Sequence, residues 1–309
     1  MKKPLKKSSA AINANQTISE AFGVILRHNL EYMLSWADVA YAGDDIEGVH
    51  QVRVAFRRMR SALVLFRKAI PREITDPWGN EMRWIASELG PARDLDVFID
   101  EGLNQMSGKI PLEAGEVKFK AIAVEHQAKA YERVRAMFDS ERYKRFVSDF
   151  DAWLTNCGWF QEDMPSTVRS KLNTSIRIYA AKVLNKRVTK VLQTGEDKHN
   201  MTSEELHQLR IEGKKLRYAT DFFSSLFDAS SMANFNTHLK SLQGLLGTMN
   251  DVSVMPGLVE GLLDGVDDSD TNQYAGASIG WRAREYEEVR GELDKRWDAF
   301  ASTAFPWLK

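Results

Sequence analysis

Cysteine is almost missing. The only one in 309 residues is Cys157, so no intrachain disulfide can form and a thiolate metal centre is disfavoured. This usage predicts a reducing, cytoplasmic compartment. The surrounding stretch WLTNCGWF is apolar, which predicts a buried thiol packed as a small hydrophobe. Proline is also sparse, with 8 residues, and this leans the chain toward helix. No apolar run is long enough to cross a membrane as a helix. The opening MKKPLKKSSAAINANQ carries lysines but no apolar core follows them, so it is not a secretory signal. Residues 1–15 are predicted to be a mobile basic arm. An excess of either charge is missing too, with 42 Lys and Arg against 43 Asp and Glu. A basic function would have to arise from segregated charge.

Apolar residues recur at helical spacing nearly everywhere, and no β-alternation is evident. Ile18, Phe22, Ile25, Leu26, Met33 and Leu34 fall on roughly one stripe. Pro165 and Ser166 open a further helical stretch. Loops are predicted at GDD, SGKIPLEAG, CGWFQEDMP, TGEDKHN and DGVDDSDTNQ, each rich in Gly, Pro, Asp or Asn. The eight tryptophans are predicted mainly as core or bundle-end packing.

One pattern occurs twice. HQVRVAFRRMR begins at His50 and HQLRIEGKKLR begins at His207, 157 residues later. At that fixed offset His50 meets His207, Arg53 meets Arg210, and Arg57 and Arg58 meet Lys214 and Lys215. Arg60 then meets Arg217, Phe66 meets Phe223, and Arg83 meets Lys240. LGPARDLDV from Leu89 meets LGTMNDVSV from Leu246. Capping-box spacings precede each copy, at Asp44 with Glu47 and at Thr202 with Glu205. A register held this long predicts two copies of one helical unit, over residues 16–155 and 166–309. The fold class is therefore all-α, built from two copies of one helical unit.

At 100° per residue, Val52, Ala55, Phe56, Met59, Ala62, Leu63 and Phe66 share one side of the first motif helix. His50, Arg53, Arg57 and Arg60 share the other. His207, Arg210, Lys214 and Arg217 repeat that spacing. Residues 48–72 hold seven Arg or Lys and no acid. Helix surfaces that face only water usually mix signs, because like charges one turn apart destabilise. A cation row built twice implies a polyanion. The pitch suits a line of phosphates. The aromatic residues lie on or near the apolar side, so base stacking, and with it nucleic acid, is disfavoured.

These residues resemble the CHAD domain, the conserved histidine α-helical domain. The resemblance rests on H-x-x-R-x-x-x-[KR][KR]-x-R at His50 and His207, each followed by LG-x-x-[RN]-D at Gly90–Asp94 and Gly247–Asp251. It covers about residues 16–305. It implies an all-α fold of two four-helix-bundle-like repeats related by an internal pseudo-twofold axis, a basic groove or pore that binds inorganic polyphosphate, and in some members association with polyphosphate granules. The second copy departs from the pattern: Lys replaces Arg at 214 and 215, Glu212 intrudes, and Asn250 stands where the first copy has Arg93. The first half is therefore expected to carry more of the binding. Members are often fused to a triphosphate-processing domain with an E-x-E-x-K strand. EAGEVKF has the wrong spacing, so a binding domain alone is expected.

The expected function is non-catalytic polyphosphate binding through His50, Arg53, Arg57, Arg58, Arg60, His207, Arg210, Lys214, Lys215 and Arg217. Arg83 and Lys240, with Arg27, His28 and Lys186 on the first helix of each half, would extend the rim, and Lys182 and Lys190 could join them. The alternatives are a metal-dependent phosphohydrolase or phosphotransferase using Asp94, Asp96 and Asp251, and an RNA-binding or scaffold protein. The acids are more readily explained as helix caps or partners that orient the cations. No second histidine stands one turn from His50 or His207, which disfavours a metal. No cofactor and no membrane contact are expected.

Overall fold

The computed structural model describes residues 3–6, 8–161, 163–197 and 201–308. Lys2 and Lys7 of the predicted arm, and residues 198–200 of the predicted TGEDKHN loop, lie outside them. The described chain is all-α. Its helices are α1 (Ile18–Ala42), α2 (Glu47–Leu65), α3 (Arg72–Glu88), α4 (Gly90–Val97), a π-helical turn (Phe98–Leu103) and α5 (Asn104–Met106). They continue as α6 (Glu113–Asp139), α7 (Glu141–Thr155), α8 (Ser166–Leu172), α9 (Ile176–Thr194), α10 (Ser203–Phe223), α11 (Ala229–Leu262), α12 (Ser269–Arg290) and α13 (Leu293–Ala301). No described helix is long and apolar enough to cross a membrane.

The motif helices α2 and α10 pack against each other. Each also pairs with the helix before it, α2 with α1 and α10 with α9. Every residue of the predicted core stripe of α2 is buried. At its end Phe66 meets Phe22, Tyr179 and Phe223 at centroid distances of 5.0, 5.5 and 6.0 Å. Such pairs stabilise beyond the area they bury. The Tyr179 hydroxyl donates to the Leu65 carbonyl at 2.8 Å. A short backbone exchange joins the starts of α1 and α9: Ile18 N–H donates to Thr174 and Ile176 N–H to Gln16, at 2.9 and 3.0 Å.

The α1–α2 hairpin turns at Gly43, whose φ of 77° suits glycine. Its closest approach is at Gly48. A Cβ there would stand 2.5 Å from the Ala40 nitrogen and 2.6 Å from the Val39 carbonyl carbon. Both are backbone atoms, so relief requires separating the helices. Gly48→Ala is expected to cost about 3 kcal/mol, at the upper end for overpacking. The check is a denaturant titration, and an unchanged midpoint would contradict this tight packing.

Several sequence expectations are corrected. The described part of the N-terminal segment packs against α1. Leu5 exchanges hydrogen bonds with Ser35 and Trp36, and Ala10 and Ile12 are buried. The apolar AAI stretch supplies the anchor. Cys157 is exposed, with φ 49°. It occupies the reversal after α7, where Gly158 N–H donates to the Trp153 carbonyl at 2.8 Å, and Trp159 turns inward instead. Leu34 lies 42% exposed, past the edge of the buried stripe. The Thr202–Glu205 capping box forms, but α2 starts at Ile46 without a side-chain cap, and Thr17–Glu20 makes the other box. The stretch after Pro165 breaks at Asn173–Ser175 into α8 and α9. The segment LGTMNDVSV runs unbroken within α11, whereas LGPARDLDV opens α4.

Candidate anion-binding site

Two rows of cations converge. His50, Arg53 and Arg57 of α2 line one cleft of about 570 Å³ together with Arg210 and Lys214 of α10. Arg93 and Asp94 of α4, Asn250 and Asp251 of α11, and Arg282 of α12 complete its polar wall. Phe98, Glu101 and Gly102 of the π-helical turn also line it, an irregularity of the kind common at functional sites. Arg57 lines a second cleft as well, of about 400 Å³, whose other cations are Arg60, Arg67, Arg83, Arg187 and Lys215. The two clefts therefore meet at Arg57.

Each half of the central cleft carries an acid beside its arginine. Arg210 stands 3.7 Å from Asp251. Asp94 acts on Arg53 in the same way. Burial raises the Asp94 carboxyl pKa, against the pull of Arg53 and Arg93, and Asp251 adds to the rise. Burial lowers the Arg53 and Arg210 pKa values, with Asp94 and Asp251 opposing. Lys214 is pushed down to about 8, by burial first and then by Arg210 and Arg57. Glu101 stands 4.0 Å from Arg93, and the three acids, Asp94, Glu101 and Asp251, offset only part of a larger cation cluster. The Nε groups of Arg53, Arg57 and Arg210 are buried without an acceptor among the described residues. Unmade buried donors are costly, and Arg58 and Arg217, outside the clefts, carry them too.

Some donors are held in place. Arg53 donates to the Ala86 carbonyl at 2.7 Å. His207 Nδ1 donates to Asn250 Oδ1 at 2.8 Å, so His207 stands behind the central cleft and positions its wall. Glu212 is buried and holds Lys215 at 2.6 Å, with Arg187 at 4.0 Å. The intruding acid of the second motif thus anchors two cations of the second cleft. Glu47 and Glu204 each precede a motif histidine by three residues, a spacing that could share a metal. Glu47 instead accepts from Gln51 at 2.6 Å. Among the described residues, no three or more His, Cys, Asp or Glu stand together as a metal site.

Other predicted site residues lie elsewhere. Arg58 is 4% exposed and packs over the Phe222 ring at 5.6 Å, a structural cation between α2 and α10. Arg217 lies over Tyr218 and lines neither cleft. Arg27 is ion-paired with Asp151 and donates to Thr155, tying α1 to α7. His28 meets Ser8 of the N-terminal segment. Lys240 is on the exposed side of α11 and lines neither cleft. Lys182 and Lys186 border a different cleft, whose floor is Ile18, Ile178, Tyr179 and Val183.

Arg67, Arg93, Arg187 and Arg282 were not foreseen as site residues. Arg93 was findable, because it lies in the second repeated segment. Arg282 has no repeat counterpart, and only the packing of α12 brings it to the cleft.

A family model described as CHAD domain matches residues 24–260. The chain belongs to the CHAD family. Two curated relatives are "Uncharacterized protein MT2285" of Mycobacterium tuberculosis (strain CDC 1551 / Oshkosh) and "Uncharacterized protein Rv2226" of Mycobacterium tuberculosis (strain ATCC 25618 / H37Rv). Each is 26% identical over 227 residues, 72% of this chain and 41% of its own. This CHAD chain thus spans about two fifths of the length of those relatives. Its fold matches the crystal structure of the CHAD domain from the plant Ricinus communis, with a TM-score of 0.84 over 99% of both chains at 24% identity. It also matches PptA from Streptomyces chartreusis, with a TM-score of 0.68 over 92% of this chain and 100% of that one at 15% identity. Both are likenesses of fold.

Proposed function

We propose that this CHAD domain binds inorganic polyphosphate in the cleft between α2 and α10 and does not cleave it. One observation carries the reading. Cations from helices 157 residues apart in sequence line one cleft, and Arg57 joins it to a second. A run of forked and point-charge donors this long suits a phosphate chain better than a small anion. The cations come from both motifs, which supports reading residues 16–155 and 166–309 as two copies of one helical unit. Retention at polyphosphate granules would follow from the same binding.

Asp94 and Asp251 support a second reading, because both carboxylates line the cleft where a metal could assist phosphoryl transfer. Their places beside Arg53 and Arg210 favour counter-charges that orient those arginines. Titration with long-chain polyphosphate and Mg²⁺ separates the two. Binding should be tight, should weaken steeply with salt because released counterions drive it, and should leave orthophosphate at background. Released orthophosphate would instead establish the enzyme. Single-stranded RNA at equal phosphate concentration should fail to displace the chain, and displacement would refute the preference for polyphosphate.

A further inference from the structure

Arg282 lines two clefts. One is the central cleft. The other, of about 390 Å³, is bounded by Gln105, Met106 and Lys109 and by Trp281, Arg284, Glu285 and Glu288 of α12. Trp281 is 44% exposed, whereas Trp159, Trp297 and Trp307 are 6% exposed or less. The Lys109 ammonium stands 6.0 Å from the Trp281 ring centroid. The carboxylates of this cleft are engaged: Glu285 accepts from Arg282 at 2.6 Å and Glu288 from Arg284 at 3.0 Å. Gln105 offers an amide donor and acceptor at the rim.

The predicted lack of base stacking rested on aromatics lying on apolar helix faces. Trp281 breaks that pattern in the cleft that shares Arg282 with the central one. A base stacks on an aromatic face with little regard to its identity. Lys109 lies over one face of the Trp281 ring, so the base takes the other face, and the ammonium adds attraction for the attached phosphate. Resting on the phosphate reading of the central cleft, we infer that this chain also takes nucleoside oligophosphates, with the phosphates on Arg282, Arg210 and Lys214 and the base on Trp281.

The test compares ATP with inorganic tripolyphosphate by calorimetry, at equal salt and in metal-free buffer. The two carry the same number of phosphorus atoms. Charge alone makes tripolyphosphate the tighter ligand, so a stacking gain must reverse that order. ATP should bind at least about fivefold tighter, the low end of one stacked base. Trp281→Ala should remove this advantage and leave tripolyphosphate affinity unchanged, and Trp281→Phe should keep most of it. The exposed side chain makes the alanine variant a safe fold, checked by its melting midpoint. Equal or weaker binding of ATP in the wild type overturns the inference, as does an equal loss for both ligands in Trp281→Ala. If neither ligand binds the wild type, the phosphate cleft itself fails, and the inference with it.

Discussion

Replacing Arg57 with glutamate is expected to lower affinity for long-chain polyphosphate by about a hundredfold or more, with the fold intact. Arg57 is the residue at which the two clefts meet, so one chain passing through both must pass it. The substitution removes a cation and places an anion on the same path. Close charge pairs across an interface couple by about 1.5–7 kcal/mol. Two such changes at the low end reach about 3 kcal/mol, and each 1.4 kcal/mol is tenfold. Folding should not suffer. Arg57 lowers the pKa values of Arg53, Arg210 and Lys214, so a carboxylate there relieves repulsion. Calorimetry and a thermal melt on the same sample check both halves. Unchanged affinity would place the site elsewhere, and a collapsed melt would make Arg57 structural.

Binding should also weaken as pH rises from 7 to 9.5, through the deprotonation of Lys214. Its amine is pushed down to about 8 from an ordinary 10.5, by burial and by Arg210 and Arg57. A polyanion favours the charged form, so the complex takes up a proton where the free amine is partly neutral. Affinity is full below about 8 and declines above it, by about tenfold for one lost phosphate contact. Stability moves the other way. The unfolded amine holds its proton up to about 10.5 while the folded one releases it near 8. Between those values the unfolded chain binds more protons, so folding gains stability as pH rises. Below 8 the buried charge is a standing penalty. Lys214→Met should therefore stabilise the protein at pH 7 by about 1 kcal/mol, discounted for partial exposure, while weakening binding. Lys214→Arg should bind without the pH step. A step that persists in Lys214→Arg would assign it to another group.

The cleft was largely legible because the repeat carries it. Core and cation stripes on α2 follow from helical geometry, and Phe66 and Phe223 meet as their matched positions suggest. Sequence periodicity gives direction around one helix but not what lies opposite. Arg58 and Arg57 are neighbours in sequence, yet one packs over Phe222 and the other joins two clefts. Arg27 and His28 occupied the right helix but meet α7 and the N-terminal segment. Those partners are 124 and 20 residues away, beyond any local pattern. Glu212 looked like damage to the second motif, but it is buried and anchors Lys215 and Arg187. Arg282 and Trp281 depend on where α12 docks, which the repeat does not encode.

The most direct measurement is a crystal structure of this CHAD domain with a polyphosphate of defined length. A chain of phosphate density running between α2 and α10, past Arg53, Arg57, Arg210 and Lys214 and on toward Arg60 and Arg83, is the predicted result. A chain held at Lys182 and Lys186, or on the outer face of α11 near Lys240, with the central cleft empty of phosphate, would contradict it.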